Sequence, residues 1–240
     1  MLNRMNQASP NGRPPERRSR AGKVGQVTLK IDGNDVSIES GKTILEAAQQ
    51  AEIEIPTLCY HKKLLPYGAC RLCMVEITSD NYTQNANRKP QTAKMVAACA
   101  YPVEENLRVN TKSDKVIKFR KLMIELLMAI VPYLAYVREL AEEYDVKKSR
   151  FNPKLSMCIL CGLCVRYCAE VKNKKTARSD GSSGGAVGFI GRGIDRELAW
   201  IPDSAYEKDC AGCFECFFIC PTGVFPSNWS MNTIKQLRER

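Results

Sequence analysis

The chain has 240 residues, room for two compact domains at the usual ~100–200 residues each. Thirty-six basic residues against 26 acidic ones give a formal charge of +10, and there are twelve cysteines but a single histidine. The cysteines sit in tight groups, which excludes a disulfide-stapled secreted scaffold and points to metal thiolates in a reducing compartment, the cytoplasm.

Metal centres on those thiolates would bring the charge to about +4. The basic excess therefore does not argue for a nucleic-acid partner. The longest apolar run, residues 126–137, contains Pro132 and is too short to span a membrane. Arg17 and Arg18 are followed by Lys23, Lys30 and Asp32 where an export signal needs an apolar stretch, so export is not expected.

In chain order, residues 1–23 are rich in Asn, Arg, Pro, Ser and Gly and lack the apolar residues of a core. They read as a disordered basic tail. Residues 24–38 alternate Val27, Leu29 and Ile31, then Val36 and Ile38, with a turn at Gly33-Asn34. This predicts two short strands. Residues 44–51 predict a helix, with Thr43 as N-cap and Glu46 at the capping-box position. A hairpin followed by a helix opens a β-grasp domain.

The next stretch holds Cys59, Cys70 and Cys73 in the spacing C-x₁₀-C-x₂-C, and Cys99 follows a polar insert over residues 79–94 that is expected to be a surface loop. Four thiolates with one C-x₂-C pair on such a scaffold suit a [2Fe–2S] cluster, although the plant-type spacing is C-x₄-C-x₂-C. Structural zinc is the alternative. Gly68 and Ala69 beside Cys70 are expected to leave room for backbone amides to reach the sulfurs. His61 is read as packing or hydrogen-bonding near the cysteines, since four thiols already complete a ligand set.

Residues 111–157 contain neither Cys nor His. Val116, Phe119, Leu122, Met123, Leu126, Leu127 and Ile130 follow helical spacing, with Lys118, Lys121 and Glu125 on other faces. A second helical segment covers residues 133–144. The Met and aromatic residues here read as core and interdomain packing.

Then the chain twice spells C-x₂-C-x₂-C-x₃-C: Cys158, Cys161, Cys164, Cys168, and later Cys210, Cys213, Cys216, Cys220-Pro221. This is the bacterial two-cluster ferredoxin run, in which the fourth cysteine ligates the other [4Fe–4S] cluster. The assignment is crossed: Cys158, Cys161, Cys164 and Cys220 on one, Cys210, Cys213, Cys216 and Cys168 on the other. Between the runs, Gly188 to Gly193 lacks the strand–turn–helix context and the third glycine of a dinucleotide loop. It reads as a turn leading into a strand over residues 197–201. Arg166, Lys172, Lys174 and Lys175 read as a solvated face, the alternatives being that they raise cluster potentials or meet an acidic partner.

The stretches "IPTLCYHKKLLPYGACRLCMVEI", "SRFNPKLSMCILCGLCVRYCAEV", "AVGFIGRGIDRELAWIP" and "CPTG" resemble the iron–sulfur subunit of the diaphorase module of NAD-linked hydrogenases. They equally resemble the N-terminal part of the large iron–sulfur subunit of respiratory complex I and related regions of NAD-dependent formate dehydrogenases. The resemblance runs over residues 26–225. It implies a [2Fe–2S] site on Cys59, Cys70, Cys73 and Cys99, two cubes on the eight later cysteines, and an electron-transfer role without a substrate site. It also implies a flavoprotein (FMN- and NAD-binding) partner and a second redox subunit: a hydrogenase, a formate dehydrogenase or a bifurcating module. The family carries a further cubane held by one His and three Cys between these domains, and this chain has lost its ligands. The shortened segment is expected to bring the two cysteine domains closer together.

The expected fold is α+β: a tail at 1–23, a β-grasp [2Fe–2S] ferredoxin domain at 24–112, and a helical linker at 113–150. A bacterial-type 2[4Fe–4S] ferredoxin domain at 151–228 and a tail at 229–240 follow. The rival readings are the iron–sulfur subunit of a succinate dehydrogenase-like complex, a zinc-stabilised interaction or nucleic-acid-binding module, and a self-contained flavin reductase. The Cys59–Cys70 spacing and the "GFIGRG" stretch argue against the first.

Overall fold

A computed structural model describes residues 25–79, 93–153, 156–169, 185–201 and 213–224. The tails at 1–23 and 229–240, most of the polar insert, Lys172, Lys174, Lys175 and Cys210 lie outside the described residues. The described residues group into two compact units, one within 21–61 and 65–161, the other within 62–64 and 162–240.

The first unit opens with strands β1 (Gln26–Ile31) and β2 (Asn34–Glu39), paired antiparallel from Gln26 opposite Glu39 to Ile31 opposite Asn34. The turn between them is Asp32-Gly33, one residue earlier than the sequence predicts, and both have positive φ, 51° and 91°. Two consecutive left-handed residues give the turn a twist that matches the strands. Asn34 therefore belongs to β2. Asp32 tolerates that backbone because its carboxylate accepts bonds from the amide and hydroxyl of Thr111.

Helix α1 (Ile44–Gln50) starts as predicted: Thr43 Oγ1 accepts the Glu46 amide, and the Glu46 carboxylate accepts the Thr43 amide. Strands β3 (Met74–Ser79), β4 (Lys94–Ala97) and β5 (Leu107–Asn110) complete a mixed sheet in the order β2-β1-β5-β3-β4. β5 runs parallel to β1 and antiparallel to β3. Alternation puts Leu29, Ile31, Val36, Ile38, Val75, Ile77, Leu107 and Val109 on one face, where Ile44, Leu45, Ala47 and Ala48 of α1 cover them. Each such aliphatic side chain contributes ~1.5–3 kcal/mol on burial. The β-grasp expectation is borne out.

Helices α2 (Asp114–Ile130) and α3 (Ala135–Glu143) follow. Ser113 caps α2 through a bond from the Val116 amide. α2 ends at Val131, the residue before Pro132, whose ring disfavours helical backbone just ahead of it. The buried positions of α2 are Val116, Arg120, Ile124, Leu127 and Ala129. Phe119, Leu122, Met123, Leu126 and Ile130 are only partly buried, so the sequence-predicted stripe is rotated from the true one. The segment expected to be a linker is part of the first unit: its second core joins Ile124, Leu127, Val131, Val137, Leu140 and Ala141 to Leu58 and Leu72.

In the second unit, a hairpin pairs β6 (Val187–Ile190) with β7 (Glu197–Trp200). The sequence anticipated β7, ending one residue earlier than expected, but not β6, which occupies part of the glycine-rich stretch. Gly191 makes the return possible. Its φ is +70°, and a Cβ there would lie 2.3 Å from the Asp195 carbonyl oxygen. Two short helices, α4 (Leu163–Tyr167) and α5 (Glu215–Phe218), pack side by side. No helix among the described residues is long and apolar enough to cross a membrane.

Candidate metal centre

Four distant cysteines come together at one edge of the first unit's core. Cys59 and Cys70 lie on the loops between α1 and β3, Cys73 immediately precedes β3, and Cys99 follows β4. Antiparallel pairing of β3 with β4, Met74 opposite Ala97, brings Cys73 beside Cys99. The Ala98 amide donates to the Cys73 carbonyl at 3.0 Å. Cys59, Cys73 and Cys99 are buried and Cys70 is half-buried.

The thiols stand as two contacting pairs. Cys59 raises the Cys70 thiol, through their sulfur contact first and burial second. Cys73 likewise raises Cys99, while Cys73 itself is lowered to about 7 by accepting from the Cys99 thiol. Cys99 also feels the charges of Cys59 and Cys70, which places all four in one electrostatic neighbourhood. Among the described residues no three Cys, His, Asp or Glu side chains meet as ligands of a single ion. Two pairs suit a two-iron centre, in which each iron takes two protein ligands.

Backbone amides already point at the sulfurs. Leu58 donates to Cys70 Sγ and Cys70 to Cys59 Sγ, both at 3.4 Å. Leu72 also donates to Cys70, and Cys99 to Cys73. Such donors stabilise thiolates and tune a bound centre. The donor set therefore fits a [2Fe–2S] group: four thiols, amide bonds to sulfur, and a largely water-excluded site. Gly68 has φ +66° with open space where a Cβ would sit, so it is needed for its backbone conformation and not for close approach. Arg71, between Cys70 and Cys73, is also left-handed at φ 57°.

The helix pair α2–α3 buttresses these loops through Leu58 and Leu72, the residues preceding Cys59 and Cys73. Sequence reasoning missed this support, and it missed Arg120, which is buried on α2 and bonds the carbonyls of Leu72 and Met74. The signal was present: Arg120 falls four residues after Val116 and four before Ile124, within the helical stripe. His61 is half-buried beside Cys59 and has a partner of its own.

The later cysteines share a repeated backbone. Gly162, after the second cysteine of the first run, is left-handed at φ 70° and begins α4, which carries Cys164 and is capped by Cys168. Phe214, after Cys213, is left-handed at φ 48° and begins α5, which carries Cys216 and leads to Cys220. A Cβ on Gly185 would lie 3.0 Å from Cys168 Sγ, so the chain passes close to that sulfur. Cys220 Sγ sits 3.3 Å from the Thr222 hydroxyl. The unit boundary falls between Cys161 and Gly162, inside the first run. None of the eleven described cysteines is in a disulfide.

Residues 25–114 match the 2Fe-2S iron-sulfur cluster binding domain family. The chain is 27% identical over 226 residues to the NADH-ubiquinone oxidoreductase 75 kDa subunit of Reclinomonas americana, covering 84% of this chain and 29% of that one. It is 30% identical over 228 residues to the NADPH-Fe(3+) oxidoreductase subunit alpha of Geobacter sulfurreducens, covering 84% and 24%. This chain thus spans less than a third of either curated relative. Its fold is similar to a chain in the crystal structure of a NAD+-reducing [NiFe]-hydrogenase in the H2-reduced state. The TM-score is 0.55, with 29% identity and coverage of 75% and 76%.

Proposed function

We propose an electron-transfer subunit, from the match of residues 25–114 to the 2Fe-2S cluster-binding family and the similarity of most of the chain to subunits of NADH-ubiquinone oxidoreductase and of an NAD+-reducing hydrogenase. It relays single electrons between a flavin- and NAD(P)-dependent partner and a second redox subunit. The observation that carries this reading is the convergence of Cys59, Cys70, Cys73 and Cys99 as two thiol pairs under backbone amides.

In this reading those four residues hold a [2Fe–2S] cluster. Cys158, Cys161, Cys164 and Cys220 hold one [4Fe–4S] cluster, and Cys210, Cys213, Cys216 and Cys168 the other. When bound, such clusters supply one-electron carriers whose potentials follow hydrogen bonding, charge and burial. The protein's part is to hold the thiolates, exclude water and set the local field. Leu58 and Leu72 seal the inner side of the first site, and the amides of Leu58, Cys70, Leu72 and Cys99 stabilise negative sulfur.

The proposed partners follow from the relatives' names, an NADH- or NADPH-linked oxidoreductase and a hydrogenase, and the proposed compartment, the cytoplasm, follows from the reducing conditions that metal thiolates need. The test is anaerobic purification of the chain from its host with whatever binds it. Iron, zinc and flavin are assayed, and EPR spectra are taken at staged reduction. The expected result is about ten irons per chain, one [2Fe–2S] signal and two interacting cubes, with a flavoprotein in the complex. A colourless zinc protein without a flavoprotein overturns it.

A further inference from the structure

Arg120 lies inside the first unit at 2% exposure, on a helix face otherwise made of Val116, Ile124 and Leu127. Its Nε donates to the Leu72 carbonyl at 3.2 Å, Nη2 to the Met74 carbonyl at 3.1 Å, and Nη1 to the Tyr144 hydroxyl at 2.9 Å. The guanidinium carbon is also 6.0 Å from the centroid of the Tyr144 ring. Every acceptor is neutral. Among the described residues no carboxylate forms an ion pair with it.

A guanidinium stays charged, and burying one without an anion costs several kcal/mol. Something close must compensate. A cleft of about 460 Å³ beside Arg120 is lined also by Asp32, Glu52, Glu54 and Glu143. Those carboxylates are exposed, and solvent screens them. The remaining candidate is the thiol cluster. Leu72 and Met74 are the two neighbours of Cys73, and Cys73 is bonded from its other edge by the amide preceding Cys99. The guanidinium fork therefore grips the segment that carries one thiolate of the cluster, on the side opposite its partner strand.

We propose that Arg120 is the buried counter-charge and positioning residue of the Cys59–Cys70–Cys73–Cys99 centre. The inference rests on reading those cysteines as [2Fe–2S] ligands. Its charge favours the more negative, reduced state of the centre and so raises the reduction potential. Its planar fork presents two fixed donors that hold residues 72–74 in register, where a lysine ammonium is a point charge on a flexible stem.

The test uses the full chain, purified anaerobically with its clusters, as wild type, Arg120→Lys, Arg120→Gln and Arg120→Met. The [2Fe–2S] potential is read by EPR redox titration, with iron content alongside. Loss of the charge in Arg120→Met is expected to disfavour reduction about tenfold, the scale of a near unit charge inside a protein, or about 59 mV for a one-electron couple. Arg120→Lys keeps most of the wild-type potential. If Arg120→Met fails to load its cluster, Arg120→Gln, neutral but able to bond the same carbonyls, must show the shift. A neutral variant that titrates at the wild-type potential overturns the proposal. So does a lysine variant that shifts as far as the neutral ones, since that is a packing effect. A wild type with no [2Fe–2S] signal overturns the site reading itself, a result distinct from an unmoved potential.

Discussion

Thr43 does two jobs within one turn of chain. Its hydroxyl caps α1 in a reciprocal pair with Glu46, and its backbone bridges to Pro102. The next two amides, of Ile44 and Leu45, donate to the carbonyls of Tyr101 and Ala98 at 3.0 Å each. The orphan donors of the helix end are thus spent on the loop that carries Cys99. Thr43→Ala is expected to lower unfolding stability by about 1 kcal/mol, measured by chemical denaturation, with Thr43→Ser retaining most of it. Equal stability of all three proteins would remove the cap from this account. The cap was legible in the sequence because Thr-x-x-Glu before an apolar run is a purely local pattern. Arg120 was not, because its three acceptors, Leu72, Met74 and Tyr144, lie 24 to 48 residues away along the chain.

At the scale of elements, α2 is the brace of the molecule's first unit. One end of it is tied to the sheet by Lys115, whose ammonium reaches the Glu76 carboxylate of β3 at 2.9 Å. Lys115, and then the Ser113 hydroxyl, hold the Glu76 carboxyl below its ordinary value. A lowered folded pKa contributes stability that is present above the unfolded value and lost as pH falls through the folded one. The stability gap between wild type and Glu76→Gln is therefore expected to be largest near neutrality and to shrink on acidification below about pH 4.5. Denaturation midpoints at pH 7 and pH 3 measure it, and a gap unchanged between them would refute the linkage. The stripe of α2 was misjudged from sequence for a physical reason. Apolar periodicity marks every large hydrophobe, and α2 carries them on more than one face. Which face turns inward is decided by Leu58 and Leu72 on loops far away in sequence.

For the whole molecule, the two later cysteine runs repeat one backbone device, a left-handed residue after the second cysteine followed by a short helix. α4 and α5 lie together, so the ends of the two runs belong to neighbouring elements. Crossed ligation makes a sharp prediction about iron content. Cys158→Ser with Cys220→Ser strikes one cluster twice and is expected to cost about four irons per chain. Cys158→Ser with Cys210→Ser strikes both cubes and is expected to cost about eight. Iron assay and EPR of the two double variants decide it, and equal losses of about eight irons from both would mean each run keeps its own fourth cysteine. Residues 111–157 hold no Cys or His, so the further cubane that the family resemblance implies is not expected in this stretch. The space in sequence is taken by α2 and α3, which support the first cysteine site.

The hairpin, α1 with its cap, the helical character of residues 114–143 and the grouping of cysteines into three sets were determined by the sequence alone. Each is written in short-range spacing: period two, period 3.6, Thr-x-x-Glu, C-x₂-C. Tertiary structure alone decided the turn at Asp32-Gly33, the inward face of α2, the strand within the glycine-rich stretch and the docking of the supposed linker onto the first unit. It also decided that Cys99 meets Cys73, and that Arg120 bonds the carbonyls on either side of Cys73. These depend on which distant backbone groups and side chains arrive at the same place, and burial free energy is set by that arrival, not by neighbours along the chain.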